Sequence, residues 1–184
     1  MTTALWSILQ QYKLYMKTII FAIAFFICIA GSAQSQVEVT HDGRDKILKG
    51  IFSEQQLSQD TSFKWYAENQ SGYTPLASTV SEFKEKGSKI QVIAFGGTWC
   101  GDTKYILPKF MSILNASAFP ADHLTLIGVD RNKKTIGHLA EALKVENVPT
   151  FIVLKDGKEV GRVVEYGKTG QWDKELGEIL KSVK

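Results

Sequence analysis

Cysteine is scarce in this chain: two residues, Cys28 and Cys100, in 184. That excludes the dense disulfide framework that staples small secreted domains. An excess of one charge is also missing. Lysine and arginine number 22 against 19 acidic residues, for a net charge of +3, so no clustered positive footprint for nucleic acid is expected. The three histidines, His41, His123 and His138, are scattered at polar positions. No cysteine or carboxylate spacing joins them, so they read as surface residues; neither a metal site nor a cofactor is expected. Internal repeats and low-complexity tracts are absent. The main apolar run, Ile19 to Ala30, falls short of the roughly 20 residues that a membrane span needs.

Apolar material is ample by contrast. Hydrophobic residues make up 44% of the chain, with Trp, Tyr and Phe well represented. A packed core is therefore expected and global disorder is not. The length suits one domain plus extras.

Residues 16–33 read MKTIIFAIAFFICIAGSA. Lys17 precedes the apolar run, and Gly31, Ser32 and Ala33 follow it, which is the order of a secretory signal peptide. Cleavage is expected after Ala33; a retained membrane anchor is the alternative. Phe25-Phe26-Ile27 before Cys28 are not the small residues that a lipidation signal wants. Met16 is a candidate true start, unless residues 1–15 are a long leader. Cleavage removes Lys13, Lys17 and Cys28, leaving 20 basic residues against 19 acidic ones and one thiol, Cys100. The expected location is the periplasm or the extracellular space. The membrane is involved only through an uncleaved signal segment. A leftover cysteine in an exported chain suggests a reactive thiol or an intermolecular partner. An inert buried cysteine is the plain alternative.

Residues 34–50 are polar and weakly patterned, and read as a linker or tail with a short strand at Val37 to Val39. One helix is expected from about Glu54 to Glu68, ended by Asn69-Gln70-Ser71-Gly72. Another opens at Pro75 and runs to about Lys86. Lys89 to Phe95 and Leu124 to Val129 are short apolar runs suited to buried strands. A helix is expected from about Gly101 to Asn115, and another over Thr135 to Lys144, where Ile136, Leu139, Ala140 and Leu143 share a face. Thr150 to Leu154 and Glu159 to Val164 pair across Asp156-Gly157, a strong hairpin signal. A last helix covers about Gln171 to Val183. The order β-α-β-α-β-β-α predicts an α/β fold: a central mixed sheet with helices on both faces, after an N-terminal helical extension. The domain then covers residues 51–184, with the extension reaching about residue 74.

Cys100 falls between a turn and the first turn of a helix, where free N–H groups and the helix dipole favour an anion. A thiolate is such an anion, and positions of this kind favour reactive thiols. Trp99 can shield one side of the sulfur, and Thr103 can offer it a hydroxyl. Asp102 opposes a thiolate by its charge; alternatively it is an acid that stabilises the first helical turn.

The segment Trp99-Cys100-Gly101-Asp102-Thr103-Lys104 resembles the Trp-Cys-Gly-Pro-Cys-Lys of the thioredoxin family. Pro108, eight residues past Cys100, is similar to the proline inside that family's active-site helix. Val148-Pro149-Thr150 resembles the family's cis-proline loop, and Asp156-Gly157 its hairpin turn. Bacterial exported members with a Trp-Cys-Gly-Asp-Ser/Thr motif look most similar. The resemblance covers roughly residues 75–184 and implies a thioredoxin-like three-layer fold. It also implies Cys100 as the nucleophile, Trp99, Gly101, Asp102 and Thr103 as its support, and Thr98, Val148 and Pro149 as a surface for an extended substrate. Two departures stand against ordinary activity. The second cysteine is Thr103, and the family's buried acid is Ala94.

Three readings follow. In the first, the chain is a monothiol thiol–disulfide oxidoreductase. Cys100 attacks exported thiol or disulfide proteins, and an external thiol reductant resolves the adduct. In the second, it is a redox-inactive module that grips an extended peptide. In the third, it is a degenerate structural domain.

Overall fold

The computed structural model of the protein describes residues 36–184, and Met16 apart from them. The signal segment expected over residues 1–33, with Cys28, lies outside the described residues.

Within the expected linker over residues 34–50, the described residues from Val37 onward form a β-hairpin instead. Strands β1 (Val37–Asp42) and β2 (Asp45–Phe52) pair antiparallel and close on Gly43-Arg44. In β1, every residue after Val37 is exposed. Backbone pairing rather than burial holds it, so the apolar period to read stops at the short strand expected over Val37 to Val39. Asp42-Gly43 is the local signal that marks the turn.

The single helix expected over 54–68 is broken into α1 (Glu54–Ser58), a 3₁₀ turn at Thr61–Phe63 and α2 (Trp65–Gln70). Asp60 causes the break. Its backbone is extended, and its carboxylate accepts the Ser62 N–H at 2.8 Å, starting a new turn. The same carboxylate meets Lys46 Nζ of β2 at 2.5 Å. Helix α3 (Ala77–Lys86) begins two residues beyond Pro75.

Strand β3 (Gln91–Gly96), helix α4 (Gly101–Ser117) and strand β4 (Leu124–Gly128) then follow. The helix expected over 135–144 shrinks to a 3₁₀ turn, Ile136–His138, running into the one-turn α5 (Leu139–Ala142). Gly137 and His138 have φ of 59° and 53°, which a right-handed helix does not admit. Ala140 is still fully buried, so the apolar spacing reported packing rather than helix length. Strands β5 (Thr150–Lys155) and β6 (Lys158–Val164) form the expected hairpin, and α6 (Trp172–Lys181) ends the chain.

The sheet order is β1-β2-β4-β3-β5-β6. Strand β3 pairs parallel with β4 and antiparallel with β5, which makes the sheet mixed. Alternation sends Val92, Ala94, Leu126, Phe151 and Val153 to one face, under Phe83 of α3, Phe110 of α4 and Leu176 of α6. Phe95, Ile127 and Ile152 point to the other face, with Ala140, Val145 and Val148. The fold is α/β with helices on both sides.

Register decides what surrounds the site. Gly96 of β3 lies beside Gly128 of β4, and Phe95 beside Thr150 of β5. The end of β3, the end of β4 and the start of β5 therefore share one edge of the sheet. Strand β2 runs antiparallel to β4, with Gly50 opposite Gly128. Residues 42–49 thus overhang that same edge. The two backbones meet closely there: a Cβ on Gly128 would lie 2.1 Å from Leu48 O.

Candidate functional site

Cys100 is the N-cap of α4, with extended backbone at φ −83°, ψ 129°. Its N–H donates to Gly97 O at 2.8 Å, and its carbonyl accepts the Lys104 N–H at 2.9 Å. The sulfur is partly exposed, and its thiol donates to Val148 O at 3.3 Å. The Val148–Pro149 peptide bond is cis, and both residues are buried. Pro149 O accepts the Glu165 N–H at 2.7 Å, which ties the loop to the end of β6. A carbonyl thus faces the sulfur, at the end of a 17-residue helix whose first turn favours negative charge.

Thr103 does not offer its hydroxyl to Cys100, contrary to the sequence expectation. It is fully buried, and its Oγ1 accepts the Gly97 N–H at 3.2 Å. Its methyl group packs on Gly96: a Cβ there would lie 2.9 Å from Thr103 Cγ2. The side chain is turned into the loop, so it supports the backbone that carries Cys100. Thr98 is a second correction. It is 2% exposed, and its hydroxyl donates to Lys46 O at 2.7 Å while accepting the Leu48 N–H at 3.2 Å. Both contacts belong to β2, so Thr98 is not a surface for substrate.

Trp99 is half-buried over Gly97. Its Nε1–H donates to Val129 O at 2.9 Å, and the Arg131 guanidinium carbon lies 5.3 Å from its ring centre. Arg131 is held in turn by the hairpin tip. Its Nε donates to Asp42 at 2.5 Å and its Nη2 to Asp45 at 2.7 Å. Asp45 also meets Lys104 Nζ of α4 at 3.0 Å. The hydrogen bond from Lys104, helped by the Lys104 and Arg131 charges, holds the Asp45 carboxyl below the usual range against the opposing effect of burial. The bond to Asp42 raises Arg131 further.

In the first turn of α4, Gly101 is exposed and Asp102 is half-buried. Two exposed tyrosines, Tyr105 and Tyr166, lie near it with ring centres 6.2 Å apart. Burial first, and the Asp102 carboxylate second, push the Tyr166 hydroxyl up. Lys109 Nζ covers the Tyr105 ring at 3.1 Å. Among the described residues, no group of three or more His, Cys, Asp or Glu side chains is arranged to hold a metal ion.

Residues 75–177 match the family model for thioredoxin. The chain belongs to the thioredoxin family. It is 40% identical over 81 residues to thioredoxin H2-2 of Oryza sativa subsp. japonica, covering 44% of this chain and 56% of that protein. It is 39% identical over 92 residues to a thioredoxin H-type of Fagopyrum esculentum, covering 47% of this chain and 74% of that one. The chain thus spans little more than half the length of the rice relative. Among solved structures it is similar to Fasciola hepatica thioredoxin, at 26% identity and a TM-score of 0.38, over 56% of this chain and 89% of that one.

Measured against the thioredoxin motif, the structure brings Trp99, Cys100, Gly101, Asp102, Val148 and Pro149 together and turns Thr98 and Thr103 inward. Ala94 is 1% exposed in the core, so no acid is buried at that position of the thioredoxin sheet. Sequence reasoning missed Asp42, Asp45, Lys104 and Arg131. Asp42-Gly43 is the one local signal that could have placed the hairpin. Nothing local joins residue 45 to residues 104 and 131, which are 59 and 86 positions away.

Proposed function

We propose that this thioredoxin-family chain is a monothiol thiol–disulfide exchange protein that acts on exported proteins. The observation that carries the reading is the single thiol at the N-cap of α4, partly exposed and facing the Val148 carbonyl, with a buried threonine where a resolving thiol would stand. To react, Cys100 gives its proton to solvent and leaves Val148 O. The thiolate attacks one sulfur of a client disulfide, forming the Cys100–client bond while the other client sulfur departs as a thiolate. An external thiolate then attacks this mixed disulfide. It bonds to the client sulfur, and Cys100 is released. The backbone of Val148 pairs with the extended client segment, with Trp99 and Pro149 beside it.

Residues 1–33 act as the export signal in this proposal. Cleavage after Ala33 leaves Cys100 as the one cysteine, in a chain whose sheet begins at Val37. Mass spectrometry of the exported chain tests this. An N-terminus at Gln34 supports it, and a chain retaining Cys28 refutes it.

The exchange chemistry is tested by mixing the chain with a peptide disulfide and following the mass. The expected result is a Cys100–peptide adduct that persists until 2-mercaptoethanol is added, and none with Cys100→Ser. Absence of an adduct on the unaltered chain would sink the reading. A second reading, a peptide-binding module without exchange, is favoured by the exposed Tyr105–Tyr166 pair beside the site. It predicts that Cys100→Ser captures the same peptide with undiminished affinity under reducing conditions.

A further inference from the structure

We infer, on the exchange reading above, that the tip of the β1–β2 hairpin is part of the site. Asp45 and Arg131 are positioning residues that hold the Trp99 indole beside Cys100 and so set the side from which a client disulfide reaches the sulfur.

Register puts the tip there. With Gly50 opposite Gly128, strand β2 continues past the end of β4, over the edge where β3 hands the chain to Cys100. Three attachments then converge on residues 98–104. Thr98 is locked to β2 through Lys46 O and the Leu48 N–H. Lys104, one turn into α4, is paired with Asp45. Arg131 is gripped at Nε by Asp42 and at Nη2 by Asp45, and lies against the Trp99 ring.

Isolated ion pairs on a surface do little. Here one carboxylate joins cations from two different elements, and the shared guanidinium rests on an aromatic ring whose chain neighbour is the thiol. The indole is fixed at its other side by Val129 O. Trp99 is therefore a fixed wall on the hairpin side of the sulfur. On this inference the client comes in over the exposed Tyr105 and Tyr166 rather than over the indole.

The test uses the chain labelled with 5-fluorotryptophan, with the Trp99 resonance assigned through Trp99→Phe. Its client is a peptide bearing a mixed disulfide with a chromogenic thiol, and 2-mercaptoethanol is the resolving thiol. One sharp Trp99 resonance is expected for the unaltered chain. Asp45→Asn and Arg131→Ala should shift or split it. They should also raise the half-saturating client concentration about tenfold while the saturated rate changes by less than about twofold. Arg131→Lys, which keeps a charge but not the two-point grip, should fall between. Circular dichroism identifies any variant that fails to fold. An unmoved Trp99 resonance with unchanged half-saturation would overturn the inference. So would a fall in saturated rate alone, which would place the hairpin in the thiol chemistry rather than the approach. If the unaltered chain forms no adduct, the exchange reading fails, and the Trp99 resonance alone decides whether the hairpin positions the indole.

Discussion

Thr103 stands where a resolving cysteine would make the site self-sufficient, and its surroundings give two opposed expectations. Thr103→Cys restores a Cys-Gly-Asp-Cys segment. It should release its own mixed disulfides and reduce insulin with a dithiol reductant far faster than the unaltered chain, because effective molarities of oriented groups reach about 10⁵ M or more. Insulin turbidity reads this directly. Thr103→Val keeps the shape but leaves the buried Gly97 N–H without its acceptor. That should cost about 1–3 kcal/mol in a urea titration. The place of Cys100 at a helix start was legible in the sequence because it depends on neighbours along the chain. The inward turn of Thr98 was not, because its partner Lys46 is 52 positions away. A polar residue beside a reactive one looks the same on paper whether it faces solvent or a strand.

The elements that sequence patterning placed best are those with a buried face of their own. Strands β3, β4 and β5 and helices α4 and α6 lie within a few residues of their expected spans. The pattern failed where a side-chain or backbone feature cut an apolar period: at Asp60, and at Gly137-His138. Asp60 yields a pH expectation. The Lys46 hydrogen bond, with help from Ser62, lowers its carboxyl from 3.8 to about 2. A carboxyl lowered in the folded state stabilises the fold above its ordinary value. That contribution is lost as pH falls through the folded one, here from 3.8 towards 2. NMR titration of the Asp60 carboxyl carbon should find the low midpoint, and Lys46→Ala should return it towards 3.8. The junction of β2 and β4 is a second expectation at this scale. Gly128→Ala would drive a Cβ to 2.1 Å from Leu48 O, forcing the strands apart. It should destabilise the chain by about 1–3 kcal/mol in chemical denaturation. By contrast Gly101→Ala, at an exposed position with open space around its Cβ, should change stability far less.

At the scale of the molecule, the family match begins at residue 75, while the sheet begins at Val37. Residues 36–74 supply two of the six strands and the buried side chains Leu48, Phe52, Leu57, Phe63 and Tyr66. A chain beginning at residue 75 should therefore melt at lower temperature than one beginning at residue 36, and it should aggregate, because β4 would become a bare edge. Circular dichroism melts with light scattering would show both effects. The sequence by itself determined the α/β class, the strand and helix order after residue 75, and a thiol at a helix start. Each of these follows from local pattern: apolar period, turn residues and a short motif. Only the tertiary structure decided that the polar stretch 37–52 is a paired hairpin whose acids reach Lys104 and Arg131. Strand pairing and ion pairing join residues that are far apart in the chain, and their geometry exists only once the sheet register is set.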